Sequence, residues 1–215
     1  MQEIGLNQSF HEYLRSQKII VMRIWFSLSL IGLLMACHND SSTSHENFGT
    51  KINYYELGQE ITSVAQNELM KKVKSAMEAG GPVGAIRYCN VNASPLVDSL
   101  SDAYNCSLQR VSLKNRSPRN ATSNSNETLL LNKMLEASLD GSEVKDTIVA
   151  QQGNLIYYKA IFIGMETCLK CHGQIGKEIS PETMKTILEL YPDDKATNYR
   201  IGEFRGVWKL TFTLD

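Results

Sequence analysis

Over residues 53–79 apolar side chains recur at every third or fourth position: Leu57, Ile61, Val64, Leu69, Val73 and Ala76, with Lys71, Lys72 and Lys74 among the polar positions. One apolar stripe at a 3.6-residue period predicts a long amphipathic helix. Gly80–Gly81–Pro82 breaks it, Pro82 opens a short second helix through Cys89, and residues 95–104 read as a third. Residues 108–113 predict a strand and 114–125 a polar loop. Residues 127–138 predict another amphipathic helix, capped by Ser125 or Asn126. The pattern then shortens. Segments 147–151 and 155–163 flank Gly153–Asn154, a hairpin signal. Ser180–Pro181–Glu182 starts a helix with an N-cap, a proline at the first helical position and an acid in the first turn, and Pro192 stops it. From 206 to 214, Val207, Lys209, Thr211 and Thr213 alternate with Trp208, Leu210, Phe212 and Leu214, a strand pattern. Helices come first and strands dominate later, so the fold class expected is α+β with an antiparallel sheet.

Upstream of the helix the pattern has another meaning. Residues 1–21 are mostly polar, and Met22–Arg23 precede an apolar run of 13 residues, 24–36, ending at Ala36–Cys37. A bilayer span needs about 20 residues. The run therefore fits the apolar region of an export signal with Arg23 as its positive flank. The string LMAC resembles the lipobox of bacterial lipoproteins, in which the cysteine, here Cys37, is acylated and becomes the new N-terminus. The expectation is Met22 as the start, residues 1–36 removed, 37–52 a flexible polar tether, and 53–215 the functional domain. A lipobox protein would be held at the bacterial cell envelope, facing the periplasm, at the outer membrane in preference to the inner.

The composition narrows the field further. The 215 residues are 42% hydrophobic and carry a formal net charge of −1. A nucleic-acid binder needs a clear positive excess, and a disordered chain has less apolar material. Losing residues 1–36 removes three of 22 basic and two of 23 acidic side chains, leaving 19 and 21, a net −2. Five cysteines are an odd number in an exported chain, so at least one has a task other than an internal disulfide.

Cys168–Leu169–Lys170–Cys171–His172 is the strongest chemical signal. Two thiols three residues apart on one helical turn suit addition to the two vinyl groups of one haem, and His172 then lies beneath the iron as proximal ligand. Attachment of this kind follows export, which the leader supplies independently. A zinc site would need a second pair of ligands, and Cys89 and Cys106, 17 residues apart, do not form a knuckle. A thioredoxin-like pair lacks its βαβ frame, and a Cys168–Cys171 disulfide would close a small strained loop.

The sixth iron ligand is less determined. His11, His38 and His45 fall in the leader and tether, Met165 is too close to His172, and Met70, Met77, Met134 and Met184 read as helix packing. Cys89 in AIRYCN remains, either as a thiolate ligand or in a Cys89–Cys106 disulfide, and the residues alone do not choose between them.

From about residue 55 to 215 the chain resembles a bacterial family of c-type haem domains with a PAS-like fold. AIRYCN (85–90), RVSLKNRSPRN (110–120), YYKAIFIGMETCLKCHG (157–173) and YPDDKATNYRIGEFRG (191–206) carry the resemblance. It implies one haem c, thioethers at Cys168 and Cys171, and His172 and Cys89 as axial ligands. The chain departs from the family pattern at Ser117, Thr122 and the Glu203–Phe204 step before Arg205. Arg116, Arg119 and Arg205 are candidate partners of the haem propionates, against the alternative of a solvated loop. The function expected is a redox or diatomic-gas sensor working through a separate signalling or redox partner. The alternative is a plain electron-transfer cytochrome with a fixed sixth ligand. No distal acid–base pair is visible, so an enzyme is not expected.

Overall fold

The computed structural model describes residues 52–214. The expectations for the leader, Cys37 and the tether up to residue 51 lie outside the described residues. Helix α1 (Tyr54–Ala103) opens on Asn53, whose Oδ1 accepts from the backbone N–H of Tyr55 (3.1 Å) and Glu56 (3.3 Å). Its two helical stretches join at a kink, where Gly81 holds φ 61 and ψ −162, a conformation essentially confined to glycine. The predicted break at 80–82 is therefore present. The predicted gap between residue 89 and Pro95 is not, because the helix runs through Pro95 to Ala103. Pro95 removes one N–H, but Ala93, Val97 and Leu100 bury a common face on either side of it and hold the two predicted pieces as one.

Strand β1 (Ser107–Val111) follows, then a short 3₁₀ turn at Pro118–Asn120, helix α2 (Ser125–Leu139), and strands β2 (Thr147–Gln151) and β3 (Asn154–Phe162). Helices α3 (Glu166–His172) and α4 (Pro181–Leu190) precede strand β4 (Phe204–Thr213). The α2 cap is Asn124, one residue before those expected, and its side chain accepts from Glu127 N. The β2–β3 turn is Gln152–Gly153, with φ 50 and 75, so the hairpin signal is displaced by one residue. Two consecutive positive φ values are what a tight two-residue hairpin requires.

The four strands pair antiparallel in the order β1-β4-β3-β2, the α+β arrangement the residue pattern predicts. Both faces of the sheet are covered. Leu108, Tyr157, Trp208, Leu210 and Phe212 pack against Ile61, Ala65, Leu69, Ala93, Val97 and Leu100 of α1. At Gly58 the helix comes so close that a Cβ would lie 2.6 Å from the Tyr157 ring. Val111, Ile156, Tyr158 and Val207 on the opposite face pack against Leu131 and Met134 of α2. The full alternation of β4 therefore serves two cores. Helices α3 and α4 lie outside this sandwich, with Ile179 and Ile187 packed on Ile86 of α1.

Candidate functional site

Between α1, β1 and α3 lies a cleft of two lobes, about 240 and 220 Å³. The lobes share Leu69, Met70, Arg110, Asn120, Cys168, His172 and Arg205. Cys89 and Cys171 line the larger lobe. The sequence-predicted residues Cys89, Cys168, Cys171, His172, Arg116 and Arg205 thus meet in one place, although 83 positions separate Cys89 from His172. Met70 and Met77, expected to be helix packing, also line the larger lobe, whereas Met134 and Met184 pack in the core. Arg119 lines neither lobe and instead pairs with Asp98 at the surface (2.5 Å).

Cys89 reaches the cleft because Ala85, Ile86, Cys89 and Ala93 follow helical spacing along α1 beyond the kink. The Cys89–Cys106 disulfide is excluded by the same helix. At about 1.5 Å per residue, Ala103 lies roughly 21 Å along the axis from Cys89. Three further residues cover at most about 11 Å, and a disulfide needs Cα atoms within about 7 Å. Both thiols are free, and Cys106 packs against the main core.

Helix α3 is a two-turn element with no side-chain cap at its N-terminus, and its C-terminal end is held from outside. Arg116 Nη2 donates to Cys171 O (2.6 Å), Tyr199 N to His172 O (2.9 Å) and Asn198 N to Gly173 O (2.8 Å). Carbonyls that a helix end leaves without partners are satisfied by one loop arginine and the 196–199 strap. The strap also orients the imidazole. His172 Nδ1 lies 2.7 Å from Ala196 O, so this nitrogen carries the proton and donates, leaving the Nε2 lone pair available. The Tyr199 ring meets the imidazole edge-on at 6.2 Å.

Burial, then Arg205 and Arg116, hold the His172 pKa well below the usual imidazole value, so the ring is a neutral donor. Burial pushes the Cys89 thiol up, and Arg110 and Arg116 pull against it. Cys171 is pushed up to about 11 by burial, with Arg116 opposing and Cys89 and Cys168 adding to the rise. Arg116 forms a forked pair with Asp194 (2.9 and 3.3 Å). Arg205 Nη1 donates to Ser112 Oγ (2.7 Å) and Lys114 O (3.0 Å), and burial lowers its pKa to about 10.

Among the described residues, no group of three or more His, Cys, Asp and Glu side chains is placed to hold a bare metal ion. The donor set suits a larger group instead. It consists of a neutral, oriented imidazole, two thiols on one helical turn, a third thiol on another helix, and cations around an apolar slot. A family model described as Tll0287-like (Tll0287) matches residues 51–213. The chain belongs to the Tll0287-like family. Among solved structures, the crystal structure of the cyanobacterial heme-protein Tll0287 is similar to this Tll0287-like chain, with a TM-score of 0.53 and 23% identity. The likeness covers 75% of this chain and 97% of that one, and at such identity it speaks for the fold. No curated protein matches the chain.

Sequence reading missed two members of the site. Arg110 carried a detectable signal. On β1 it shares a face with Leu108, which is buried against α1, so it is a charged residue on a core-facing position. Asp194 carried none, because its role depends on a partner 78 residues away.

Proposed function

We propose that this chain is an exported haem protein in which Cys168 and Cys171 would form covalent thioethers and His172 and Cys89 would hold the iron, with a sensory role for redox state or a diatomic gas. The observation that carries the reading is the meeting of Cys89 with the Cys168–His172 turn across one cleft lined by Arg110, Arg116 and Arg205. Haem, when bound, supplies an iron that changes oxidation state and a coordination position for a diatomic ligand.

The chain's own residues do the rest. Cys168 and Cys171 would hold the haem covalently, each adding its S–H across one vinyl group, with the sulfur bonded to one vinyl carbon and the hydrogen to the other. His172 lines the cleft and is held through Nδ1 by Ala196 O, which leaves Nε2 as its free donor atom. Cys89 is the member that changes state. As a thiolate it can hold a ligand position; as a neutral thiol, the form favoured by burial, it lets go. Added negative charge in the cleft shifts it toward the neutral form. Its release frees the part of α1 beyond the Gly80–Gly81 kink to report the change to a partner. Neither lobe is lined by a carboxylate or by a second histidine.

The test is electronic spectroscopy of both oxidation states in protein made with c-type haem maturation. Cys89→Ala is expected to change the ferric spectrum, while Met70→Leu leaves it alone. Identical ferric spectra for wild type and Cys89→Ala would sink the ligand assignment. A reversible potential without carbon monoxide or nitric oxide binding would mark plain electron transfer instead. Haem stain is expected to survive denaturing electrophoresis in wild type and be lost when Cys168 and Cys171 are both replaced by alanine.

A further inference from the structure

Three guanidinium groups line the cleft, and no Asp or Glu side chain lines either lobe. Arg116 is neutralised by Asp194, whose side chain is fully buried, and its remaining bonds go to the carbonyls of Cys171 and Ala196. Arg205 is oriented by Ser112 Oγ and Lys114 O, which are neutral acceptors, and its guanidinium stacks on Tyr199 at 5.4 Å. Among the described residues the Arg110 side chain makes no hydrogen bond or ion pair. Its guanidinium lies 6.0 Å from the Trp208 ring centroid. No buried polar side-chain atom among the described residues lacks a partner, so the Arg110 nitrogens are not sealed in the core. They face the cleft, whose two lobes both include this residue.

Two cations without counter-charges in an apolar slot are costly unless an anion enters with the ligand. The haem of the reading above carries two carboxylates, which matches Arg110 and Arg205 in number. We propose that Arg110 is the principal guanidinium partner of a haem carboxylate, with Arg205 beside it, and that Arg116 braces α3 and takes no part. This assignment rests on the haem reading. It replaces the pairing of Arg116 and Arg205 that the loop sequence suggests.

The experiment compares full-length Arg110→Leu, Arg110→Lys and Arg116→Leu with wild type, each matured with haem. Readouts are haem stain, the propionate-bending band in resonance Raman, and the ferric-to-ferrous ratio at a fixed applied potential. Arg110→Leu is expected to move the propionate band. It should also shift the ratio several-fold toward ferric, because losing a positive charge from the cleft would favour the more positive oxidation state. Arg110→Lys, which keeps the charge and loses the fork, should move the band and leave the ratio near wild type. It also serves if the leucine variant does not fold. Arg116→Leu should leave the band in place. An unmoved propionate band in both Arg110 variants overturns the assignment, and an altered thiolate charge-transfer band alone would make Cys89 the true partner. Wild type without haem stain would instead refute the haem reading itself, an outcome separable from the failure of Arg110.

Discussion

Arg116 shows how one planar side chain serves two structural ends. Its fork pairs with the buried Asp194 and its Nη2 caps the last turn of α3 at Cys171 O. A lysine could supply the charge but not the parallel geometry. Arg116→Ala leaves the Asp194 carboxylate, with a side-chain exposure of 0%, without its cation. Breaking a buried pair from one side costs roughly 3–5 kcal/mol. In a domain of this size that lowers Tm by about 10 °C, to be read from thermal unfolding by circular dichroism. A loss of less than about 2 °C would mean that the pair does not anchor the helix. The same residue marks a limit of sequence reading. Its basic character was visible, but its choice of a carboxylate partner over a ligand was set by Asp194, brought in by the fold.

Among the elements, the docking of α2 depends on one buried acid. Glu127 accepts from Lys209 Nζ (2.6 Å), Tyr158 OH (3.1 Å) and the N–H and hydroxyl of Ser123 (2.7 and 3.0 Å). Burial alone would raise its pKa, but Lys209 and Ser123 together outweigh it and hold the carboxyl below the usual glutamate value. A folded-state pKa below the unfolded one gives stability that is present above the unfolded value and lost as pH falls through the folded one. Glu127→Gln should therefore cost roughly 3 kcal/mol near pH 7. The gap to wild type should close as the pH drops below about 4, measured as urea midpoints at both pH values. A gap that persists undiminished in acid would contradict this. Element types were legible because their periods are local. The errors at Pro95, at the α2 cap and at the hairpin turn are of one or a few residues. They arose where long-range packing or a neighbouring φ/ψ choice overrode a local signal.

At the scale of the whole molecule, the proposal is that Cys37 carries lipid and the tether presents the haem domain to the periplasm. Several acyl chains hold a protein at a membrane far better than one. Intact-mass measurement of the membrane-fraction protein should find a chain beginning at acylated Cys37. Cys37→Ala should move the protein to the soluble fraction without altering its haem spectrum. An unmodified chain starting at Met1 would refute both the lipid and the start at Met22. Among the described residues no helix is long and apolar enough to cross a membrane.

Local information was enough for the α+β class, the kink at Gly80–Gly81 and the Cys168–His172 turn, since each depends on residues within a turn or a strand of one another. The spacing of two thiols and an imidazole is itself a geometric statement. Which thiol faces that turn was not local. Cys89 stood between a ligand and a disulfide until the continuity of α1 placed Cys106 beyond reach. Which arginine is left without a counter-charge was not local either. Arg116 and Arg110 are both basic residues of one stretch, and only the arrival of Asp194 beside one of them, with a carboxylate-free cleft beside the other, separates their roles. Charge compensation is a pairwise property across the fold, and pairs distant in sequence are decided by tertiary packing.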